Sequence, residues 1–269
     1  MAADLAAVAD EVFATLGTGR QIPLFTSRAA GLTLDESYRA LAILDQMREA
    51  HGEKRLGRKI GFTNRTIWEQ YKVYAPNWGY IYDSTVHDLS RAALLPLAGL
   101  VEPRIEPEIV FGLARAPAAE MDETALLSCV GWVAHGFEIV QSIFPRWQFT
   151  AADTVAANAM HGALLIGPRH EIGSRAAQWQ KALRNFEIDL LCDGRVIDCG
   201  RSANVLDGPL SALRHLVGLL ASDPVHPPLA AGEIVPTGTL TRAMPVKSGE
   251  SWSTALRGIA LDGIRLRFD

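Results

Sequence analysis

Cysteine is scarce in this chain of 269 residues: Cys129, Cys192 and Cys199 are unevenly spaced and form no CxxC pair. Neither a disulfide framework nor a thiolate zinc site is expected. Long apolar runs are missing too. The stretch "AALLPLAGLV" at 92–101 is cut by Pro96 and Gly99, far short of the ~18 residues that a membrane span needs. There is no basic excess, since 26 Lys and Arg face 30 Asp and Glu, for a net charge of −4 and a pI near 6.0. The longest basic stretch is "EKRLGRK" at 53–59, so no footprint for nucleic acid is present. The first residues carry acids where a signal peptide would carry bases, so no targeting segment and a cytoplasmic location are expected. HExxH, P-loop, GxGxxG and nucleophile-elbow patterns are all absent.

What is present suits a sizeable core, with 48% hydrophobic residues. Leu5, Val8, Val12 and Leu16 recur at helical spacing and stop at Gly17. "TLDESYRALAILDQMREAHG" opens with Thr33 and Glu36 in capping-box spacing and carries Leu34, Tyr38, Leu41, Leu44 and Met47 on one side. After residue 55 the texture changes to short β-rich runs bounded by Gly, Pro, Asn or Asp, among them "KIGFT", "GYIYD", "EIVFGLA", "HGFEIVQS", "HGALLIG" and "GEIVPTGTL". Helices return near 120–130, at 174–184 and in "PLSALRHLVGLLAS". The expected class is α+β, with a helix-rich part at 1–80 and a β-rich catalytic part at 81–269 joined as one continuous unit.

Within "PRIEPEIVFGL" (103–113), Glu106 and Glu108 fall on one face of an extended strand, Cα atoms about 7 Å apart. An edge strand facing solvent would accommodate them, but Ile105, Ile109, Val110 and Phe111 make the segment apolar. Buried carboxylates must be paired, protonated or metal-bound. Glu138, in the apolar run "HGFEIVQS", supplies a third carboxylate, and an all-oxygen set favours Mg²⁺ or Mn²⁺ over Zn²⁺. Lys59 in "GRKIGFT" reads either as a snorkelling surface lysine or as a proton-transfer group in a desolvated pocket. Asp83, Asp153 and Asn158 suit turns and caps as well as a site. His135 and His161 are secondary acid–base candidates, and Trp78 or Trp147 could line a pocket.

Taken in order, "GRKIGFT", "NWGYIYDSTV", "PRIEPEIVFGL", "GFEIVQSIFPRWQFTAADTVAANAMHGALLIG", "GRSANVLDGPLSAL" and "AGEIVPTGTLTRAMPVKSGE" resemble the 2-keto-4-pentenoate hydratases and the related 4-oxalocrotonate decarboxylases. These form a branch of the fumarylacetoacetate hydrolase-like superfamily, and the resemblance runs from about Leu32 to the C-terminus. It implies a mixed β-sandwich roll with flanking helices, a divalent metal, Mg²⁺ or Mn²⁺, and a homo-oligomer. Carried over by motif, Glu106, Glu108 and Glu138 look like metal ligands, and Lys59 and Asp83 like catalytic groups. Asp153, Asn158, His161, Thr237 and Gly238 are assigned to substrate binding. The chain departs from the family where Gln141 and Ile143 replace "DSR"-type residues, where Met160 and His161 replace small hydroxyl residues, and at Asn204 and Asp207.

The implied chemistry is stabilisation of an enolate of a small 2-oxo acid held by the metal. A hydratase of aromatic-compound catabolism would add water to a 2-hydroxy-2,4-dienoate. A vinylogous decarboxylase, an acylpyruvate-type carbon–carbon hydrolase or an inactive 2-oxo-acid-binding subunit would keep the same scaffold. Arg65, Arg146, Arg201 and Arg242 are candidates for a second substrate carboxylate.

Overall fold

The computed structural model describes residues 2–91 and 93–269. Helix α1 spans Leu5–Thr15, with Asp4 as its N-cap and Gly17 at φ +73° just beyond its end. The capping box opens helix α2 (Leu34–Ala50): Thr33 Oγ1 accepts the Glu36 N–H, and the Glu36 carboxylate accepts the Thr33 N–H. The remaining helices are α3 (Trp68–Tyr71), α4 (Glu123–Cys129), α5 (Ala151–Ala156), α6 (Ala176–Arg184) and α7 (Pro209–Ala221).

The strands are β1 (Arg55–Gly61), β2 (Asn77–Tyr82), β3 (Val86–Asp88), β4 (Leu94–Leu95), β5 (Arg104–Leu113), β6 (Val130–Val140) and β7 (His161–Glu171). They continue with β8 (Glu187–Cys192), β9 (Arg195–Arg201), β10 (Ile234–Pro236), β11 (Met244–Pro245), β12 (Ser251–Arg257) and β13 (Arg265–Phe268). Among the described residues they form two mixed sheets. The larger runs β2-β1-β10-β5-β6-β7-β3 with β11 added to β5, and the smaller runs β4-β13-β12-β8-β9.

Three apolar clusters hold these layers. Helices α1, α2, α5 and α7 pack on the larger sheet around Leu41, Leu44, Phe111, Phe144 and Leu213. Between the sheets, Ile105, Phe137 and Leu165 meet Leu190, Trp252, Leu266 and Phe268. The larger sheet also curls, so that Ile81, Val110, Ala134 and Leu164 form a small cluster inside it. Residues 106, 108 and 138 alternate with the same parity as Val110 and Ala134 and so share that inner face.

The boundary expected at residue 80 falls inside β2, and β1 and β2 belong to the larger sheet. One sheet and one core therefore span both parts of the chain. In "GEIVPTGTL" only Ile234–Pro236 pair as a strand. Thr237 then turns its N–H and hydroxyl onto the Ile109 carbonyl, and Gly238 adopts φ +94°.

Candidate metal centre

Alternation along β5 turns Glu106 and Glu108 to one face, and the antiparallel register sets Glu138 of β6 directly opposite Glu106. Glu108 faces Gly136, which brings no side chain of its own. One oxygen of each glutamate lies within 4.8 Å of the others. Glu108 and Glu138 are buried, and Glu106 is half-buried because it borders a cleft. Like charges directly opposite on a sheet repel, so the pair Glu106 and Glu138 demands a counter-charge.

Lys59 of β1 provides part of it. Its Nζ stands 3.0 Å from Glu138 Oε2 and donates to the Ala159 carbonyl at 3.1 Å. The approach to Glu138 is an ion pair without hydrogen-bond alignment, so Glu138 Oε2 remains, like Glu108 Oε1, a buried oxygen with no hydrogen-bond donor. The other oxygen of each is satisfied: Gly238 N–H donates to Glu108 Oε2 at 2.7 Å, and His161 Nδ1 lies 2.8 Å from Glu138 Oε1. Glu108 Oε1, with no partner, and Glu138 Oε2, with only the lysine, are what a hard divalent cation would draw together.

Electrostatics agrees with that fit. Burial, reinforced by the charge of Glu138 and opposed by Lys59, pushes Glu106 up to about 7. Burial and then the charges of Glu138 and Glu106 push Glu108 well above the ordinary carboxylate range. Burial acts in the same sense on Glu138, but Lys59 and the His161 bond outweigh it and hold this carboxyl low. Burial works to lower the Lys59 ammonium, and the three glutamates together outweigh it and raise it. One lysine thus serves three carboxylates, which leaves a deficit of positive charge.

The remaining residues singled out in the sequence divide by location. Asn158 clamps β2, its Oδ1 accepting the Tyr80 N–H at 2.7 Å and its Nδ2 donating to the Tyr80 carbonyl at 2.9 Å. That clamp fixes a left-handed run at Asn158, Ala159 and Met160, with φ of +54°, +49° and +65°. The run turns the Ala159 carbonyl onto Lys59. Gly79, the cross-strand neighbour of Lys59, must be glycine for this, since a Cβ there would stand 2.7 Å from the Asn158 carbonyl oxygen.

Gly238 likewise has no room for a Cβ, which would lie 1.8 Å from Thr63 Oγ1. Burial, opposed by the Glu138 carboxylate, holds the His161 imidazole below its ordinary value. Its Nδ1 faces Glu138, and its Nε2 lies 2.9 Å from the Thr85 hydroxyl, which itself donates to the Tyr82 carbonyl at 3.0 Å. His161 therefore stands behind Glu138 and outside the set of residues lining the cleft.

Besides His161, five further sequence candidates stand apart from the cleft. Asp83 is exposed and accepts the Lys54 N–H at 2.9 Å, an anchor for the start of β1 rather than a group in the cleft. Asp153 is buried, with its carboxylate taken by the N–H and hydroxyl groups of Thr26 and Thr150. It closes a capping box on α5 and ties down the segment before α2. His135 bridges the Glu108 carbonyl and Thr254 of the smaller sheet, and burial lowers it to about 4. Arg65 pairs with Asp207 and Arg242 with Asp198, all outside the cleft.

Beside the glutamates a small cleft of about 60 Å³ opens to solvent, between Lys59 and Glu106 at one end and a group of aromatic rings at the other. Sequence reading missed Thr63 and Asn77 here. Thr63 Oγ1 and Asn77 Oδ1 are buried without partners. The amide orientation of Asn77 follows from Thr154: that hydroxyl donates to the Ala151 carbonyl, so it accepts from Asn77 Nδ2. No local signal marks either residue, because "TN" and "PNW" read as turn chemistry.

No protein-family model matches the chain. It is 28% identical over 263 residues to a 2-hydroxyhexa-2,4-dienoate hydratase of Comamonas testosteroni, covering 94% of each protein. It is also 28% identical over 261 residues to a 2-keto-4-pentenoate hydratase of Burkholderia vietnamiensis, covering 95% of this chain and 94% of the relative. Among solved structures, the 4-oxalocrotonate decarboxylase of Pseudomonas putida G7, complexed with magnesium and adipate, matches with a TM-score of 0.88 at 24% identity. That match covers 98% of this chain and 97% of the other. Proteins named as of the fumarylacetoacetate hydrolase family share the fold at TM-scores of 0.57 and 0.58. The fold is the one that the sequence resemblance implied.

Proposed function

We propose that this chain, a relative of the 2-keto-4-pentenoate hydratases with a fumarylacetoacetate hydrolase-like fold, is a divalent-metal-dependent hydratase. Its reaction adds water to a 2-hydroxy-2,4-dienoate to give a 4-hydroxy-2-oxo acid. The observation that carries this reading is the glutamate trio, with Glu108 Oε1 lacking any partner and Glu138 Oε2 facing only a lysine at 3.0 Å, bordering a cleft. Glu106, Glu108 and Glu138 are the ligands we assign to Mg²⁺ or Mn²⁺. When bound, the cation supplies Lewis-acid charge to the carboxylate and 2-oxo oxygens of the substrate.

The chain's own part is proton movement and positioning. Ketonisation moves the proton of the 2-hydroxyl to C5 and yields a 2-oxo-3-enoate; water then adds, its hydroxyl to C4 and its proton to C3. Lys59 Nζ is the proton carrier we assign, since it is the titratable group beside the glutamates that lines the cleft. The Ala159 carbonyl aims it, and neutralisation of the glutamates by a cation would remove the charges that raise its pKa. Thr63 Oγ1 and Asn77 Oδ1 are free to orient a substrate oxygen or the attacking water. Asp83 has no place in this scheme. Thr237 and Gly238 shape the wall, and Asn158 shapes the turn that presents Ala159 and Met160. We place the enzyme in the cytoplasm as a homo-oligomer acting in aromatic-compound catabolism.

The test is incubation of the purified protein and Mg²⁺ with 2-hydroxypenta-2,4-dienoate and, separately, with 2-oxohex-3-enedioate. Loss of conjugated absorbance with formation of a 4-hydroxy-2-oxo acid is expected from the first. Release of CO₂ from the second without hydration of the first would replace hydratase by decarboxylase. Consumption of neither would overturn the reading.

A further inference from the structure

The half-buried end of the cleft is built differently from its charged end. Phe62, Tyr71, Trp147 and Phe149 line it and contact one another. Tyr71 and Phe149 stack with centroids 5.2 Å apart and planes 7° from parallel. Phe62 sets its edge against both, at 6.0 and 6.3 Å, and Trp147 meets Phe149 at 6.0 Å. Three separate segments converge to place these rings. Phe62 takes φ +54° as the chain leaves β1, Tyr71 ends α3, and Trp147 is the second of a left-handed pair, with φ of +60° at Arg146 and +56° at Trp147. Non-glycine residues take such angles at a cost that surrounding structure must offset.

Charge is absent from that end. Among the described residues that line the cleft, Lys59 is the one cation, and its ammonium is engaged by Glu138 and the Ala159 carbonyl. Arg104 contacts the rings without lining the cleft. Its guanidinium lies 4.0 Å from the Trp147 ring centroid, and Nη1 donates to the Tyr71 hydroxyl at 3.0 Å. It braces two of the rings by a cation–π contact and a hydrogen bond.

We infer that the substrate carries an uncharged apolar or aromatic tail beyond its conjugated 2-oxo acid head, and that the four rings are its binding site. The inference rests on the proposed function for the placement of the head at Lys59 and the glutamates. A planar conjugated chain leaving that end meets ring faces and edges, where apolar area is removed from water and stacking adds to it. A second carboxylate at the same place would lose its water with no cation to receive it.

Binding of unreactive 2-oxo acids tests this without requiring turnover. With the Mg²⁺-loaded protein in a calorimeter, 2-oxohexanoate, 2-oxo-6-phenylhexanoate and 2-oxohexanedioate share one head and differ in the tail. The phenyl-tailed acid is expected to bind tightest and the diacid about 100-fold more weakly. Phe149→Leu, a change that keeps the site apolar, should weaken the phenyl-tailed acid about tenfold and 2-oxohexanoate less than threefold. Diacid binding as tight as that of 2-oxohexanoate would overturn the inference, and its selective loss in Arg104→Gln would identify Arg104 as the group that receives it. Failure of the hydratase reading would register separately, as dienoate left unconsumed by a protein that still ranks these ligands.

Discussion

The two sheets treat charge in opposite ways. On the smaller sheet, Arg257 pairs with Asp189 and Glu187 at the surface, while Leu190, Trp252, Leu266 and Phe268 fill the interior. On the larger sheet, two buried carboxylates, a half-buried third and a buried ammonium gather inside the curl beside Val110 and Ala134. Exposed pairs contribute little to stability and can be lost cheaply. Buried carboxylates facing each other are a liability unless something compensates them. The smaller sheet is built to be stable, and the larger one accepts electrostatic strain where a ligand can relieve it.

The largest contrast is expected from the two cations. Lys59→Met should lower kcat on the dienoate about 1,000-fold, within the range for loss of a proton-transfer group. Arg257→Gln should leave steady-state kinetics unchanged. Equal effects from the two would erase the distinction between the sheets.

His161 gives the next step down, because it holds one oxygen of Glu138 and leaves the other for the cleft. His161→Ala should weaken Mg²⁺ binding about 30-fold, as for other residues that support a ligand from behind. His161→Asn, which keeps a donor, should recover part of it, and titration calorimetry separates the two.

The pH dependence is smaller. A carboxyl raised to about 7 in the folded metal-free protein holds its proton between its unfolded value of 4.5 and that pH. Its contribution to metal-free stability is therefore present at low pH and lost as pH rises from about 4.5 through about 7. Metal binding displaces that proton, so the Mg²⁺ dissociation constant should fall about tenfold from pH 6 to pH 8. The melting temperature gained on adding Mg²⁺ should be larger at pH 8. The smallest effect is expected at Asp83, where Asp83→Asn should leave kcat/KM within about twofold of wild type.

That last contrast marks where the sequence was legible and where it was not. The glutamates could be read because strand alternation is local: "IEPEIV" places two carboxylates on one face whatever the rest of the chain does. Glu138 was found as an acid in an apolar run. Its position opposite Glu106 needed the β5 and β6 register, which no short stretch encodes. Asp83 and Asp153 sit in stretches matching the family motifs, yet their oxygens are taken by Lys54, Thr26 and Thr150. Motif position does not report what a carboxylate bonds to.

The Ala159 carbonyl, the partner that aims Lys59, has no side-chain signature at all. It depends on a left-handed turn at Asn158, Ala159 and Met160 that propensity argues against. The aromatic end is assembled from residues 62, 71, 147 and 149, and only Trp147 stood out in the sequence as a possible lining residue. The helices, by contrast, were visible in periodicity and in the Thr33 and Glu36 box, because those signals lie within one turn.

The central claim is that Glu106, Glu108 and Glu138 hold one divalent cation. Titration of Mn²⁺ into metal-free protein, followed by the loss of the free-ion electron paramagnetic resonance signal, tests it directly. The account predicts one site per chain in the wild type, displaced by Mg²⁺, and no such site in Glu106→Gln plus Glu108→Gln with the fold intact by circular dichroism. Undiminished binding in that double variant would contradict it.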